Sequence, residues 1–349
     1  MNSTDCIEKA KADRASDLHL VCGLPPKYRV DGEIRDLDDV PLTEAQCDTF
    51  ARGLAGEQFS DLEIVGELDL ALTLCGVRCR LNLFRQQGVY SAAIRLLNDH
   101  IPELEDLGLP AVVQEFAGYS QGLVLVTGET GSGKSTTLAA LLNRINHTKR
   151  LHILTLEDPV EYIYTPDQCL INQRAALRED PDVILVGEMR DLDTIQTALT
   201  AAETGHLVFG TVHTNSAADS IDRIVDVFPA ERQQQIRLQL SMTLKAVLSQ
   251  QLLPRAKQEG RVLACEVMKT DDAIRNLIRE GKTPQIQNAI QTSGAIGNIL
   301  MDRALQALYR SGTISQETMN EAMRGAPSLS PTTPASSPLG LNRPRGFGR

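Results

Sequence analysis

The stretch Gly122-Leu-Val-Leu-Val-Thr-Gly-Glu-Thr-Gly-Ser-Gly-Lys-Ser135 constrains the fold more than any other part of the chain. Leu123 to Val126 is a short apolar run of β-favouring residues. Gly128 to Ser135 then fits the pattern G-x-x-x-x-G-K-[ST], and Thr136 to Asn143 reads as a helix. Strand, glycine loop and helix in that order predict a phosphate-binding loop rather than a chance turn. Glycine lets successive N–H groups turn inward onto a phosphate, and the helix adds its positive N-terminal end. The candidate phosphate-binding residues are therefore Gly128, Thr130, Gly131, Ser132, Gly133, Lys134, Ser135 and Thr136. In this chemistry Lys134 reaches the outer phosphates and Ser135 ligates Mg2+.

A chain of 349 residues is long enough for two domains. Its 42% hydrophobic and 23% charged content is that of a soluble globular protein. The net charge of −10 weighs against nucleic acid as a partner. No apolar run approaches the roughly 18 residues of a membrane span, and Met1 to Lys9 lacks an apolar signal core, so a cytoplasmic location is expected. The seven cysteines are odd in number and scattered, which predicts reduced, mostly buried thiols. Cys75 and Cys79 could share one face of a strand, but no second pair stands at zinc spacing.

Residues 1–99 read as a separate α+β unit. Asp5 to Arg14 is helix-like, and Asp17 to Val21 alternates polar and apolar as a half-buried strand does. Asp31-Gly32 lies between two β-favouring runs and predicts a hairpin. Thr43 to Leu54 reads as a helix opened by a capping box at Thr43 and Gln46. Strands are expected over Asp69–Leu74, Val77–Phe84 and Gly88–Leu96. Arg78, Arg80 and Asn82 then fall on one face, with Arg95 on the third strand. Such a row is either a solvated sheet face or a set of guanidinium groups aimed at a nucleotide. Residues 100–110, with two prolines and a run of acids, read as a linker.

Residues 111–325 form the second predicted domain, beginning with a short helix over Ala111–Ala117. Leu151 to Leu156 is an apolar strand that delivers Glu157, Asp158 and Glu161 past its C-terminal end, where a parallel α/β sheet places its ligands. Val183 to Val186 delivers Glu188 to the same rim, a position suited to Mg2+ or to polarising an attacking water. A strand over His206–His213 has a histidine at each end, each a candidate to reach a γ-phosphate or a subunit boundary. Val262 to Met268 is a further strand, followed by helices over 271–281, 284–291, 299–311 and 315–324. Residues 326–349 are low in complexity, rich in Pro and Ser, and predicted to be disordered.

Taken together, these motifs resemble the secretion-type hexameric ATPases and, within them, the PilT-like retraction motors of type IV pili. Leu154 to Tyr162 is similar to the family's Asp box, Val183 to Asp191 to its Walker B, and Thr204 to Asn215 to its His box. Ala273-Ile-Arg-Asn-Leu-Ile278 matches the AIRNLI motif that marks retraction motors, and Ala15 to Leu20 with Val30-Asp-Gly32 resembles the family's N-terminal domain. The resemblance implies an α/β architecture: a PAS-like α+β domain followed by a RecA-like P-loop domain with C-terminal helices, assembled as a homohexamer. It implies ATP and Mg2+ as cofactors, with Ser135, Glu161 and Glu188 at the metal and Glu161 and Glu188 as catalytic carboxylates. His206 and His213 would sense the nucleotide, and Arg80 and Arg95 would reach it from the first domain. The implied work is pilus retraction at the cytoplasmic face of the inner membrane, with the pilus platform protein as partner. Assembly or type II secretion ATPases, or a non-hydrolysing regulatory subunit, are the alternatives. The chain departs from the family between Arg174 and Asp182, where about a dozen residues are absent and too few remain for a helical crossover between parallel strands. An antiparallel or edge pairing of the 169–173 strand, or altered packing behind Walker B, is the expected consequence.

Overall fold

The computed structural model describes residues 3–13, 15–30, 33–97, 100–157, 160–174 and 180–325. Hydrophobic clusters divide the described chain in two, because the cluster built from residues before Leu97 shares no member with the others.

The first unit runs α1 (Ser3–Ala12), β1 (Asp17–Leu20), β2 (Lys27–Val30), β3 (Glu33–Asp36), α2 (Glu44–Ala55), α3 (Phe59–Val65), β4 (Glu67–Leu74), β5 (Val77–Gln86) and β6 (Val89–Leu96). Its six strands form an antiparallel sheet in the order β3-β2-β1-β6-β5-β4. Strand alternation does the work in β5. Val77, Cys79, Leu81 and Leu83 are buried beneath the helices, while Arg78, Arg80 and Asn82 face the other way, as their spacing predicts. The capping box forms as expected: Thr43 Oγ1 accepts from the Gln46 N–H, and Gln46 Oε1 accepts from the Thr43 N–H at 2.9 Å. Helix α3 was not legible in the sequence. Cys75 lies in the β4–β5 turn at positive φ rather than on a strand face with Cys79. The Asp31-Gly32 turn lies outside the described residues, although β2 and β3 pair around it with Val30 opposite Glu33.

The second unit begins with 3-10 turns over Leu104–Leu107 and Ala111–Gly118. It continues through β7 (Gly122–Thr127), α4 (Lys134–Thr148), β8 (His152–Leu156), β9 (Leu170–Arg174), β10 (Val183–Val186), α5 (Leu192–Glu203), β11 (Leu207–Val212), α6 (Ala217–Asp226) and α7 (Ala230–Thr243). Strands β12 (Leu244–Pro254) and β13 (Arg261–Lys269) follow, and then α8 (Asp272–Arg279), α9 (Ile286–Thr292), α10 (Met301–Arg310) and α11 (Gln316–Gly325). The sheet order is β13-β12-β7-β11-β10-β8-β9, parallel except for the β12–β13 pair. Strands β7, β10 and β11 are buried along their whole length, as expected of a sheet covered on both faces.

The segment expected to be a linker packs onto this second unit. Leu104 is buried in its core with Ile101, Leu107 and Leu109 against it, and Glu105 pairs with Arg144 of α4. Strand β9 takes the sheet edge, one of the two arrangements the short 174–182 segment left open, but it pairs parallel to β8 rather than antiparallel. Residues 175–179 of that segment lie outside the described residues.

A buried carboxylate ties the sheet to two helices. Glu266 of β13 is 3% exposed; its Oε1 accepts the Ala217 N–H at 2.8 Å and its Oε2 the Met301 N–H at 3.4 Å, the first residues of α6 and α10. Burial pushes its carboxyl up from 4.5 to about 6, against the pull of those two N–H groups. The folded protein thus keeps a proton that the unfolded chain has already released. Glu266 favours folding below about 4.5, and that contribution is lost as pH rises through about 6. The loss amounts to about 2 kcal/mol. Calorimetric melts of Glu266→Gln should therefore show a smaller fall in Tm between roughly pH 4.5 and 7 than the parent does. Parallel falls in the two proteins would show that this carboxyl does not titrate there.

Candidate functional site

Strand β7 ends at Thr127, and the chain turns through residues 128–133 into α4. Gly128 is required by close approach: a Cβ there would lie 2.4 Å from the Gln250 backbone oxygen and 2.6 Å from Ser132 Oγ, at φ +140°. Gly133 is the N-cap of α4 at φ +92°, a left-handed conformation that glycine tolerates best. Gly128→Ala should cost about 1–3 kcal/mol and displace the loop. Melts with and without ADP would test this, the expected result being a lower Tm and no ADP-induced rise.

Lys134 is 8% exposed, and its Nζ donates to the Gly128 and Glu129 carbonyls, both at 2.8 Å. Burial holds its pKa below the usual lysine range, opposed by the charges of Glu188, Glu161 and Glu129. The Ser132 hydroxyl is buried and has no hydrogen-bond partner among the described residues. Thr130, Gly131 and Ser132 line a cavity of about 310 Å3 with Asn215, Gln250 and Arg261. On the other side of the loop, Ser135 opens into a larger cavity of about 610 Å3.

The larger cavity brings the predicted carboxylates together. It is lined by Ser135 from α4, Glu157, Glu161 and Tyr162 from the loop after β8, and Glu188 and Arg190 from the segment after β10. Glu188 is fixed by its neighbours in sequence, since Gly187 N–H donates to the Leu156 oxygen at 2.8 Å and Met189 N–H to the Thr211 oxygen at 3.0 Å. Its Oε1 accepts from Arg190 Nε and lies 3.2 Å from His213 Nε2. Burial, together with Lys134 and Arg190, lowers the His213 pKa below its ordinary value, while Glu188 acts in the opposite sense. Glu157 is pushed up, chiefly by burial and further by Glu161, although its Oε2 accepts the Glu161 N–H at 3.3 Å. Asp158 lies outside the described residues.

Three predicted residues stand elsewhere. His206 precedes β11, level with Gly122 at the start of β7, so the length of the strand separates it from the phosphate loop, about 20 Å at 3.3 Å per residue. Its Nδ1 lies 3.0 Å from the Ala201 oxygen. Of the two alternatives for each histidine, a γ-phosphate or a subunit boundary, His213 stands within the chain beside Glu188 and His206 stands at the opposite end of the strand. Arg80 and Arg95 stand opposite each other on β5 and β6, and neither lines either cavity. Arg95 Nε donates to Asp17 Oδ1 at 3.1 Å, so part of its charge is matched within its own sheet. Arg190 and Tyr162 went unnoticed in the sequence. Arg190 is two residues beyond Glu188 in an extended segment, a spacing that places both on one side and could have flagged it.

The donor set fits a nucleoside phosphate with Mg2+. An unpartnered buried hydroxyl, a buried ammonium and a helix N-terminus converge on the loop, as a phosphate requires. Among the described residues no group of three or more His, Cys, Asp or Glu side chains could hold a metal alone. Mg2+ needs only one or two carboxylates beside substrate phosphates and water, which Ser135, Glu161 and Glu188 can complete. None of the helices among the described residues is long and apolar enough to cross a membrane.

The chain is similar to known proteins over most of its length. The type IV pilus retraction ATPase PilT of Pseudomonas aeruginosa is 47% identical over 337 residues, covering 92% of this chain and 98% of that protein. A twitching motility protein of Neisseria gonorrhoeae is 43% identical, covering 87% of this chain and 86% of that protein. The crystal structure of the pilus retraction motor PilT with bound ADP superposes with a TM-score of 0.84 at 45% identity, covering 95% of this chain and 98% of that one. Residues 3–333 match the family described as type II/IV secretion system protein. The chain has a mixed α/β fold and belongs to that family of secretion-system ATPases.

Proposed function

We propose that the chain is an ATP-hydrolysing motor that powers retraction of a type IV pilus. One observation carries the reading: Ser135, Glu161 and Glu188 line a single cavity beside Lys134. The likeness to retraction motors over nearly the whole chain supports the direction of the work.

In this reading the loop N–H groups and Lys134 bind the phosphates, and the Ser132 hydroxyl gains the partner it lacks. Mg2+, when bound, supplies charge neutralisation across the outer phosphates. Ser135, Glu161 and Glu188 would hold it, and Glu188 would also orient and polarise the attacking water. His213, whose pKa is lowered chiefly by burial, contacts Glu188 three residues before Ser216, the α6 N-cap, and so stands between that carboxylate and the start of α6. The first unit is a PAS-like domain and the second a RecA-like domain. In a homohexamer, Arg80 and Arg95 approach a nucleotide from the open face of the first sheet, and His206 faces a subunit boundary. The protein works at the cytoplasmic face of the inner membrane against the pilus platform protein, without nucleic acid.

Steady-state Mg2+-dependent ATP hydrolysis by the purified chain, with Glu188→Gln as the blank, tests the chemistry. A deletion strain tests the direction: excess surface pili are expected, and their loss would point to an assembly motor. The short 174–182 segment favours one second reading, a regulatory subunit that binds ATP without hydrolysing it. A folded, ATP-binding chain with no turnover above the blank would establish that reading instead.

A further inference from the structure

The loop after β8 carries Glu161 on an exposed stretch with no regular structure, yet the next residue is anchored. Tyr162 is 7% exposed, and its hydroxyl lies 2.8 Å from Thr136 Oγ1, in the first turn of α4 and two residues beyond Lys134. Gln173 on the edge strand β9 braces the same point. Its Nε2 donates to the Tyr162 oxygen at 2.7 Å and its Oε1 accepts the Tyr164 N–H at 3.3 Å, so one side-chain amide closes a two-ended bridge onto the loop. On the other side of Glu161, its own N–H is held by Glu157 Oε2. Tyr164 is buried as well, so the segment is pinned at alternate residues while Ile163 is exposed to solvent and Glu161 is exposed at the cavity.

We propose that Tyr162 is a positioning residue, its hydroxyl latching the Glu161 loop to the first turn of the phosphate-binding helix so that Glu161 faces Ser135 across the cavity. The inference rests on reading this cavity as an Mg2+–nucleotide site. A tyrosine hydroxyl can both donate and accept, and so can that of Thr136, so the bond forms in either sense and needs no change of protonation. Its removal leaves the apolar ring in its pocket and frees only the loop. The part of the site that depends on Glu161 is the metal, whereas the phosphate loop keeps its own contacts. The latch therefore governs Mg2+ more than it governs ADP. The edge strand beside the shortened 174–182 connection takes on a role too, since through Gln173 it sets where Tyr162 sits.

The test is a double-mutant cycle with Tyr162→Phe, Thr136→Val and both together. The apparent Mg2+ constant is read from ATP hydrolysis at saturating ATP, and ADP affinity is read without Mg2+. Tyr162→Phe should raise the Mg2+ constant by about threefold to tenfold and leave Mg2+-free ADP affinity unchanged. In the Thr136→Val background it should have no further effect. A parent-like Mg2+ constant in Tyr162→Phe, or effects of the two substitutions that simply add, would overturn the latch. An equal loss of Mg2+-free ADP affinity would do the same, because it would mark a general loosening of the fold. If the parent does not hydrolyse ATP, the motor reading fails alone, and the cycle is read instead from the Mg2+-dependent gain in ATP affinity.

Discussion

Glu188→Gln should abolish steady-state ATP hydrolysis while leaving ATP binding intact. The backbone around Glu188 is held by hydrogen bonds from Gly187 and Met189 to two neighbouring strand ends, so an isosteric amide will not move it. A glutamine oxygen can still accept from Arg190 and His213, and what disappears is the charge. A carboxylate acting on water in a transition state contributes about 10²–10⁴-fold, and the loss should fall in that range. Turnover assays beside equilibrium binding of a fluorescent ATP analogue would check it. Activity within a few-fold of the parent would remove Glu188 from its role. A second signature follows from the same geometry. Glu188 opposes the depression of the His213 pKa, so its neutralisation should lower that pKa further, visible by NMR titration of the imidazole.

Lys134→Met is the second large effect, and its two halves have opposite signs. The ammonium is buried against two carbonyls, and burial depresses its pKa, so the folded state bears a cost for holding this charge. Methionine fills similar space without it. The melting temperature without nucleotide should therefore hold steady or rise. Binding should weaken sharply, because the loop loses its buried cation for the outer phosphates: an ADP affinity roughly tenfold to a hundredfold weaker is expected, from a charge-assisted contact worth about 1.5–3 kcal/mol. Melts with and without ADP separate the halves. A variant that melts early without nucleotide would mean that Lys134 serves chiefly as a strut for the loop.

The strand, glycine loop and helix from β7 to α4 were legible because their signal is local, the glycines, Lys134 and Ser135 being set by backbone geometry within one turn. Glu161 and Glu188 were legible because buried strands in a parallel sheet deliver their last residues to one rim. The histidines were only half legible. Two residues bracketing a strand look equivalent in sequence, but a strand has two ends, and His206 stands at the end away from the cavity that holds Glu188. Sequence patterning gave no element across residues 226–261, where α7 and β12 lie. In α7, Ile236 and Leu240 point inward while Leu238 and Met242 are exposed, so the apolar residues trace no single stripe. In β12, Ser249 and Gln250 are buried polar residues that hydrogen-bond Thr127 and Thr137, and no hydropathy pattern announces such pairs. The Tyr162–Thr136 contact joins residues 26 apart, a tertiary fact that spacing does not carry.

The place of β7 in the sheet also governs when the site can come into being. β7 lies between β11 and β12, and the Gln250 backbone packs directly against the loop at Gly128. The strand that walls the loop on that side is thus made more than a hundred residues after the loop itself. On the ribosome that interval is on the order of ten seconds, during which β7 waits for both of its sheet neighbours, β11 first and then β12. Competence to hold a nucleotide is therefore a late event in the life of each new chain. Nucleotide can help to consolidate the fold of a nascent protomer only after β12, which ends at Pro254 of 349 residues, has been made.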